Sequence, residues 1–327
     1  MHKRLLGRSG LEVSRIGLGC VTFGREIDEQ DSFRIMDYAL ERGITLFDTA
    51  EAYGGGEATD YRRKVLGVED VREVSAEAHS SEKIIGRWLR ARGVRNQIVL
   101  QTKITTHFTA SHIAQAIEDS LERLQTETID IYMFHSFDPE TPLEESLTAM
   151  TEAVRRGKVR TIGCSNFTAD QLRSALEVSR RLGLQRLEAV QPNYSLVARD
   201  IEQDLLPLCR KEQVAAVTYS PLGAGFLSGK YTADRNAFPR GSRFHVIPAH
   251  ADVYFSEKNF GVVERLRKKS EVTGLPMVRL AMAWVLRNPD VTSVLVGART
   301  TAHLDNALVA MEMDFPQEWT AEMNAWS

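Results

Sequence analysis

The chain is short of cysteine, of proline and of any excess of charge, and each shortage removes a class of function. Among its 327 residues are three cysteines, Cys20, Cys164 and Cys209. They are scattered, without a Cys-x-x-Cys pair or a histidine spacing that would assemble zinc, so no disulfide framework and no metal site is expected. The formal net charge of -3 offers no electrostatic reason to bind nucleic acid or an anionic membrane. No apolar run approaches the roughly 20 residues needed to cross a bilayer, and no apolar region follows the basic residues Lys3 and Arg4. Neither an anchor nor a secretory leader is therefore expected, and reduced thiols point to the cytoplasm. With ten prolines, no Pro/Gly/Ser-rich linker and no internal repeat, nothing divides the chain, and one domain over residues 1–327 is expected. A small neutral or polar molecule is the expected partner. The choice between monomer and homo-oligomer stays open.

What is present is a regular alternation. Short apolar runs fall at Ile16–Cys20, Thr45–Asp48, Ile98–Lys103, Ile129–His135, Val159–Ser165, Ala189–Asn193, Ala215–Ser220 and Ser293–Gly297. Between them lie stretches of helical period, such as Asp31–Arg42, Glu82–Arg92, Ser111–Leu124, Leu143–Arg156, Thr168–Leu182, Ile201–Gln213, Phe260–Lys269 and Pro276–Arg287. Strands rich in Ile, Val and Leu, each followed by a helix, imply parallel pairing with both sheet faces covered. A closed (β/α)8 TIM barrel is the simplest such α/β architecture, and an open doubly wound sheet is the competitor. Ahead of the first run, Lys3–Leu6 and Leu11–Ser14 flank Gly7-Arg8-Ser9-Gly10. This reads as an N-terminal β-hairpin that plugs the barrel bottom. The long loops, Gly54–Ser80 and Pro221–Glu257, both leave C-terminal strand ends, the face where such barrels keep their chemistry.

Ionisable residues collect at that face. Asp48 and Tyr53 follow the second run, Lys103 closes the third and His135 the fourth, so three neighbouring strands would bring them to one side of the mouth. A lysine among apolar residues needs a partner, and Asp48 is the available carboxylate. A cation beside a phenol favours the phenolate and eases proton release, which makes Tyr53 a candidate general acid. His135 could hydrogen-bond and orient a carbonyl oxygen. Each residue alone reads as ordinarily as core or rim, and joint placement at successive strand ends sets them apart. A dinucleotide fold is a poor competitor. Gly17-Leu18-Gly19-Cys20-Val21-Thr22 has threonine at the third glycine position and no acidic residue ~20 positions on.

These residues resemble the aldo-keto reductase superfamily. Phe47-Asp48-Thr49-Ala50-Glu51-Ala52-Tyr53-Gly54 is similar to its Asp-to-Tyr motif, Gln101-Thr102-Lys103 to its lysine strand, and Asp130-Ile131-Tyr132-Met133-Phe134-His135 to its histidine strand. The resemblance runs in family order from Leu6 to about Asp314. It implies a (β/α)8 barrel, NADPH as the usual cofactor, and reversible reduction of an aldehyde or ketone to an alcohol, with Asp48, Tyr53, Lys103 and His135 as catalytic tetrad. It also implies that Ser165, Asn166 and Gln191 hold the nicotinamide carboxamide and that Tyr219 stacks on the ring. The backbone of Ser220, Pro221, Leu222 and Gly223 would cradle the pyrophosphate, with Lys230 and Arg243 near the phosphates. Gly297 and Arg299 open a helix N-terminus suited to an anion. A bidentate pair from Arg299 to a phosphate on the adenosine ribose would favour NADPH over NADH.

Some positions depart from the family. Its glutamine at the next adenosine contact is His303, and its asparagine falls on Ala307, with Asn306 in the preceding slot. Residues Glu57 to Ser80 read as an insertion that could border a substrate pocket, or else form a solvated elaboration or a subunit contact. Phe23, Phe108, Phe137, Phe226, Phe238, Phe244 and Tyr254 fall in or near the loops of the mouth, where some could line an apolar cleft. Two other activities fit the same resemblance: a cofactor-binding regulatory subunit of the channel β-subunit type, and a dehydrogenase of an alcohol or sugar hydroxyl.

Overall fold

The computed structural model describes residues 1–55, 74–75 and 77–326. A two-stranded antiparallel hairpin comes first, β1 (Lys3–Leu5) and β2 (Glu12–Ser14), with Lys3 opposite Ser14. Then follow β3 (Ile16–Gly19), α1 (Glu29–Glu41), β4 (Leu46–Asp48), α2 (Ser80–Arg92), β5 (Val99–Ile104), α3 (Ala110–Leu124), β6 (Ile129–Phe134), α4 (Leu143–Arg155), β7 (Val159–Ser165), α5 (Ala169–Leu182), β8 (Leu187–Gln191), α6 (Leu205–Glu212) and β9 (Ala215–Thr218). Two one-turn helices, α7 (Arg243–Val246) and α8 (Ala251–Tyr254), lie in the loop that leaves β9. They precede α9 (Glu257–Thr273), α10 (Met277–Arg287), β10 (Val291–Gly297), α11 (Thr301–Glu312) and α12 (Gln317–Asn324).

β3 to β10 pair in parallel as a closed barrel, in the order β10-β3-β4-β5-β6-β7-β8-β9. The expected (β/α)8 barrel is therefore the architecture, and an open doubly wound sheet is excluded. Sequence patterning explains why the sheet closes. β5 and β6 are buried at every position, so both faces need cover, one from the surrounding helices and one from the barrel interior.

Two apolar clusters supply that cover. The larger joins the strands to the helices, and at its centre Trp88 of α2 is fully buried, stacked on Phe47 at 5.4 Å, with its indole N–H donated to Asp37 at 2.7 Å. Truncating such a side chain costs about 3–5 kcal/mol. The smaller cluster lies inside the barrel. Leu6, Leu11 and Val13 of the hairpin join Leu46, Val99, Ile131, Met133, Ala189, Ala215, Val217 and Leu295, as expected of a plug. Arg8 N–H and the Arg186 guanidinium both donate to the buried Glu188 carboxylate, at 2.7 and 3.0 Å, which ties the hairpin turn to β8. Gly163 of β7 faces the crowded interior, where a Cβ would come within 2.7 Å of the Ala189 carbonyl.

The strand ends shift from the expected ones by a residue or two, most at the sixth barrel strand. β8 is Leu187–Gln191 rather than Ala189–Asn193. Its polar Glu188 is buried and paired, so the strand extends further toward the hairpin than apolar content alone indicates. No helix among the described residues is long and apolar enough to cross a membrane, and they hold no cluster of side chains suited to a metal.

Candidate active site

Three adjacent strands place the four expected tetrad residues together. β4 ends on Asp48, β5 carries Lys103 as its second-last residue, and β6 runs directly into His135. Tyr53 comes from the turn after β4, which closes through a Tyr53 N–H bond to the Ala50 carbonyl at 3.0 Å. Gly54 must follow it: its φ is +133°, and a Cβ there would stand 2.5 Å from the Ser80 amide nitrogen. This close approach sets the start of α2 against the tyrosine loop, where Ser81 N–H donates to the Tyr53 carbonyl at 3.3 Å.

Lys103 organises the group. Its ammonium is fully buried and donates to Asp48 Oδ1 at 2.7 Å and to the Thr49 carbonyl at 2.7 Å, and it stands 3.5 Å from the Tyr53 hydroxyl and 4.9 Å from the phenol ring centroid. Asp48 Oδ1 also accepts from the side-chain amides of Gln101, at 2.5 Å, and Gln191, at 2.9 Å. The carboxylate is thus held by three donors. The His135 ring stands edge-on to that of Tyr53, with centroids 5.7 Å apart.

Burial and charge set the protonation states. Burial alone opposes the ammonium of Lys103, yet Asp48 and Tyr53 outweigh it and hold its pKa above the ordinary lysine value. For Tyr53 the balance falls the other way: burial pushes the phenol up, and the opposing pull of Lys103 does not cancel it. Lys103 pulls in the expected direction and eases proton release, but burial outweighs it. A lysine already neutralised by Asp48 returns less than a phenolate loses on leaving water. His135 is pushed down to about 3, first by burial and then by Lys103, so its imidazole is neutral at physiological pH. Its Nδ1 is buried without a hydrogen-bond partner.

The expected cofactor residues divide into two groups. On the tetrad's side, Ser165 Oγ donates to the Gln191 carbonyl at 2.9 Å. Asn166, with φ at +58°, donates through Nδ2 to the His135 carbonyl at 2.9 Å and accepts the Tyr219 hydroxyl on Oδ1 at 2.8 Å. Ser165, Asn166, Gln191 and Tyr219 therefore form one connected set with Asp48 and His135. The turn of Ser220, Pro221, Leu222 and Gly223 is tight, with Ser220 and Gly223 both at positive φ and Gly223 N–H donated to the Ser220 carbonyl at 2.8 Å. The Gly223 amide is spent within the turn.

On the other side of the mouth, the guanidinium groups of Arg243 and Arg299 flank Glu26, at 3.5 and 3.7 Å. Lys230 is exposed, with its ammonium 5.2 Å from the Tyr231 ring centroid. His303 is pushed down by burial, helped by Arg299 and Lys230, which places those two cations in its neighbourhood. Its Nδ1 lies 2.9 Å from Thr300 Oγ1. Gly297 is exposed at the end of β10, where a Cβ would make only an ordinary contact with the Gly19 carbonyl at 4.0 Å. Asn306 turns to a neighbour, accepting from Arg279 Nε at 2.9 Å. Arg243 and Arg299 share one carboxylate, and Arg299 and Lys230 both act on His303, so the three cations gather on one side of the mouth and fit a ligand that carries phosphates.

Of the loop aromatics, Phe23, Phe108, Phe226, Phe244 and Tyr254 are buried, and Phe226, Tyr231, Phe238, Phe244 and Phe255 pack tilted or edge-on to one another in the loop after β9, against Phe260 of α9. Phe137 is half-buried against Phe167. Most of the expected insertion lies outside the described residues. Its described end packs beside the site, where Gly55 bridges Ala78 and His79 Nδ1 lies 2.5 Å from the Glu51 carbonyl. Gln101, the Thr49 carbonyl and Glu26 are site features that motif reading did not single out as such.

Residues 15–327 match the model of the Aldo/keto reductase family. An uncharacterized oxidoreductase, YrpG of Bacillus subtilis, is 34% identical over 99% of this chain and 95% of its own. Aldo-keto reductase YhdN of the same organism is 32% identical over 93% of this chain and 87% of its own. With the family model covering residues 15–327 and both relatives above 30% identity, the chain belongs to the aldo/keto reductase family as an NAD(P)H-dependent oxidoreductase.

Proposed function

We propose that this enzyme reduces an aldehyde or ketone to an alcohol, with NADPH as its cofactor and Tyr53 as the proton donor. The observation that carries the reading is the Lys103 ammonium, which bonds Asp48 at 2.7 Å and stands 3.5 Å from the Tyr53 hydroxyl. A bound nicotinamide supplies the hydride that the carbonyl carbon receives. The protein's own work is to hold the carbonyl oxygen and to protonate it.

His135, neutral, donates an N–H to that oxygen and sets it against the phenol. Tyr53, whose pKa burial keeps above the ordinary value, enters the step protonated and gives up its proton as the oxygen gains charge. Lys103, whose ammonium stands 3.5 Å from the hydroxyl, then stabilises the phenolate that forms. Asp48 keeps the lysine charged and in place. Ser165, Asn166 and Gln191 are the candidate partners of the carboxamide, Tyr219 is the candidate stacking ring, and Lys230, Arg243 and Arg299 are the candidate phosphate ligands. The chemistry is reversible, so an alcohol would be oxidised through the same groups.

The test is Tyr53→Phe, assayed by NADPH oxidation against a panel of aldehydes and ketones. Turnover is expected to fall by about 10²- to 10⁴-fold, the span of general acid catalysis. Wild-type turnover in that variant would overturn the assignment.

A further inference from the structure

We infer that Glu26 is a specificity-determining residue that works against the phosphate-bearing cofactor, by occupying the two guanidinium groups a ribose phosphate would use. The inference rests on the reading of Arg299 as the candidate phosphate ligand.

Glu26 lies in the loop after β3, where Gly24 N–H bonds the Ile27 carbonyl at 2.9 Å and Glu26 N–H bonds the Thr22 carbonyl at 2.8 Å. Thr22 in turn donates its hydroxyl to the Ala298 carbonyl at 2.9 Å, beside Arg299. The loop is thereby fastened to the strand end that carries the arginine. Its carboxylate is 6% exposed and lies between Arg243, from the loop after β9, and Arg299, from the turn after β10. One oxygen stands 3.5 Å from Arg243 Nη1 and the other 3.7 Å from Arg299 Nε.

Three physical consequences follow. Arg299 binds a phosphate best through two parallel N–H groups. The Nε that faces Glu26 is one of the pair used in a side-on fork, so the carboxylate and a phosphate compete for the same donor. Arg243 is committed in the same way, with Nη1 toward Glu26 and Nε 3.3 Å from His250 Nδ1. A buried carboxylate also repels a dianion placed on Arg299, whereas the 2′-hydroxyl of NADH brings no charge and accepts any donor left over. The long pairs fit this role. At 3.5 and 3.7 Å the carboxylate holds both cations without closing a short bond on either, and a ligand can displace it. Glu26 therefore lowers NADPH affinity selectively and narrows the preference that Arg299 creates.

The adenosine fragments isolate this side of the site, since they lack the nicotinamide. Titration calorimetry with 2′,5′-ADP and 5′-AMP on wild type, Glu26→Gln and Glu26→Ala is the direct test, with NADPH and NADH binding by fluorescence alongside. Both variants are expected to bind 2′,5′-ADP and NADPH about three- to tenfold more tightly, the worth of one or two partly exposed ion pairs. Binding of 5′-AMP and NADH should stay within about twofold. Unchanged or weaker 2′,5′-ADP binding in the variant that keeps the wild-type circular dichroism overturns the inference. Arg299→Ala separates this failure from that of the underlying reading. If that variant binds 2′,5′-ADP as wild type does, Arg299 is not a phosphate ligand and both fall; if it binds weakly while Glu26→Gln gains nothing, the role of Glu26 alone falls. In the double variant with Arg299→Ala, the gain from Glu26→Gln should shrink by more than half.

Discussion

The two sides of the barrel mouth are built to different tolerances. Around Tyr53, a fully buried ammonium makes two 2.7 Å bonds, and one carboxylate oxygen receives three donors. Around Arg299, the charges stand 3.5 to 3.7 Å apart and the guanidinium is 43% exposed. Under the proposed function the difference follows from what each side would do. Proton transfer needs groups at fixed short distances before substrate arrives, whereas a phosphate pocket has to exchange a charged ligand with water and gains from donors that are loosely committed. The inner side is also the one that burial makes unforgiving, because a charge left there without its partner has no solvent to turn to.

That contrast can be broken at several points. The largest effect is expected at Lys103. Lys103→Met leaves Asp48 buried with amide donors only, so urea unfolding should show a loss of roughly 3–5 kcal/mol, together with a collapse of turnover. Adding Asp48→Asn should recover part of the stability and none of the activity. An unaltered unfolding curve for the single variant would mean that the pair does not hold the inner side together. A smaller effect is expected on the outer side, where Arg299→Ala should weaken NADPH about tenfold, the value of a charge-assisted bond discounted for exposure, with NADH little changed and the unfolding curve unmoved. Equal losses for both cofactors would remove the argument for a phosphate there.

The smallest effect is expected with pH. His135 is pushed down to about 3 and is neutral well above that value, while burial keeps Tyr53 protonated beyond the ordinary tyrosine range near 10. Reduction needs the neutral imidazole and the protonated phenol. Its kcat/KM should therefore stay flat from about pH 5 to about pH 9 and decline only at higher pH as the phenol ionises. A bell centred near neutrality would mean that a different pair of groups carries the proton.

How much of this was legible in the sequence depended on whether a signal is local. The barrel was, because parallel strands covered on both faces read as apolar runs. So was the tetrad, because Asp48, Lys103 and His135 end or follow such runs and Tyr53 comes five positions after Asp48. The reach of β8 was not, since Glu188 breaks its apolar run and is satisfied by Arg8 N–H, which arrives from the distant hairpin, together with Arg186 just before the strand. Glu26 carried no signal at all. Its partner Arg243 lies 217 positions away, and no spacing rule joins a loop carboxylate to an arginine across a closed barrel. Which loop aromatics pack inward was not legible for the same reason: Phe226 and Phe244 sit in a polar-looking stretch and build a small core of their own with Phe255. The net direction of the Tyr53 shift also escaped, because the cost of burying a phenolate is set by the walls around it and outweighs the pull of the lysine beside it.

The central claim, that the two sides do separate work, is tested most directly by crossing two variants with two readouts. Tyr53→Phe and Arg299→Ala would each be measured for turnover at saturating NADPH and for the Kd of NADPH. The account predicts that Tyr53→Phe abolishes turnover with the Kd within about twofold of wild type, and that Arg299→Ala raises the Kd about tenfold with turnover nearly intact once the cofactor saturates. Loss of NADPH binding in Tyr53→Phe, or loss of saturated turnover in Arg299→Ala, would contradict it.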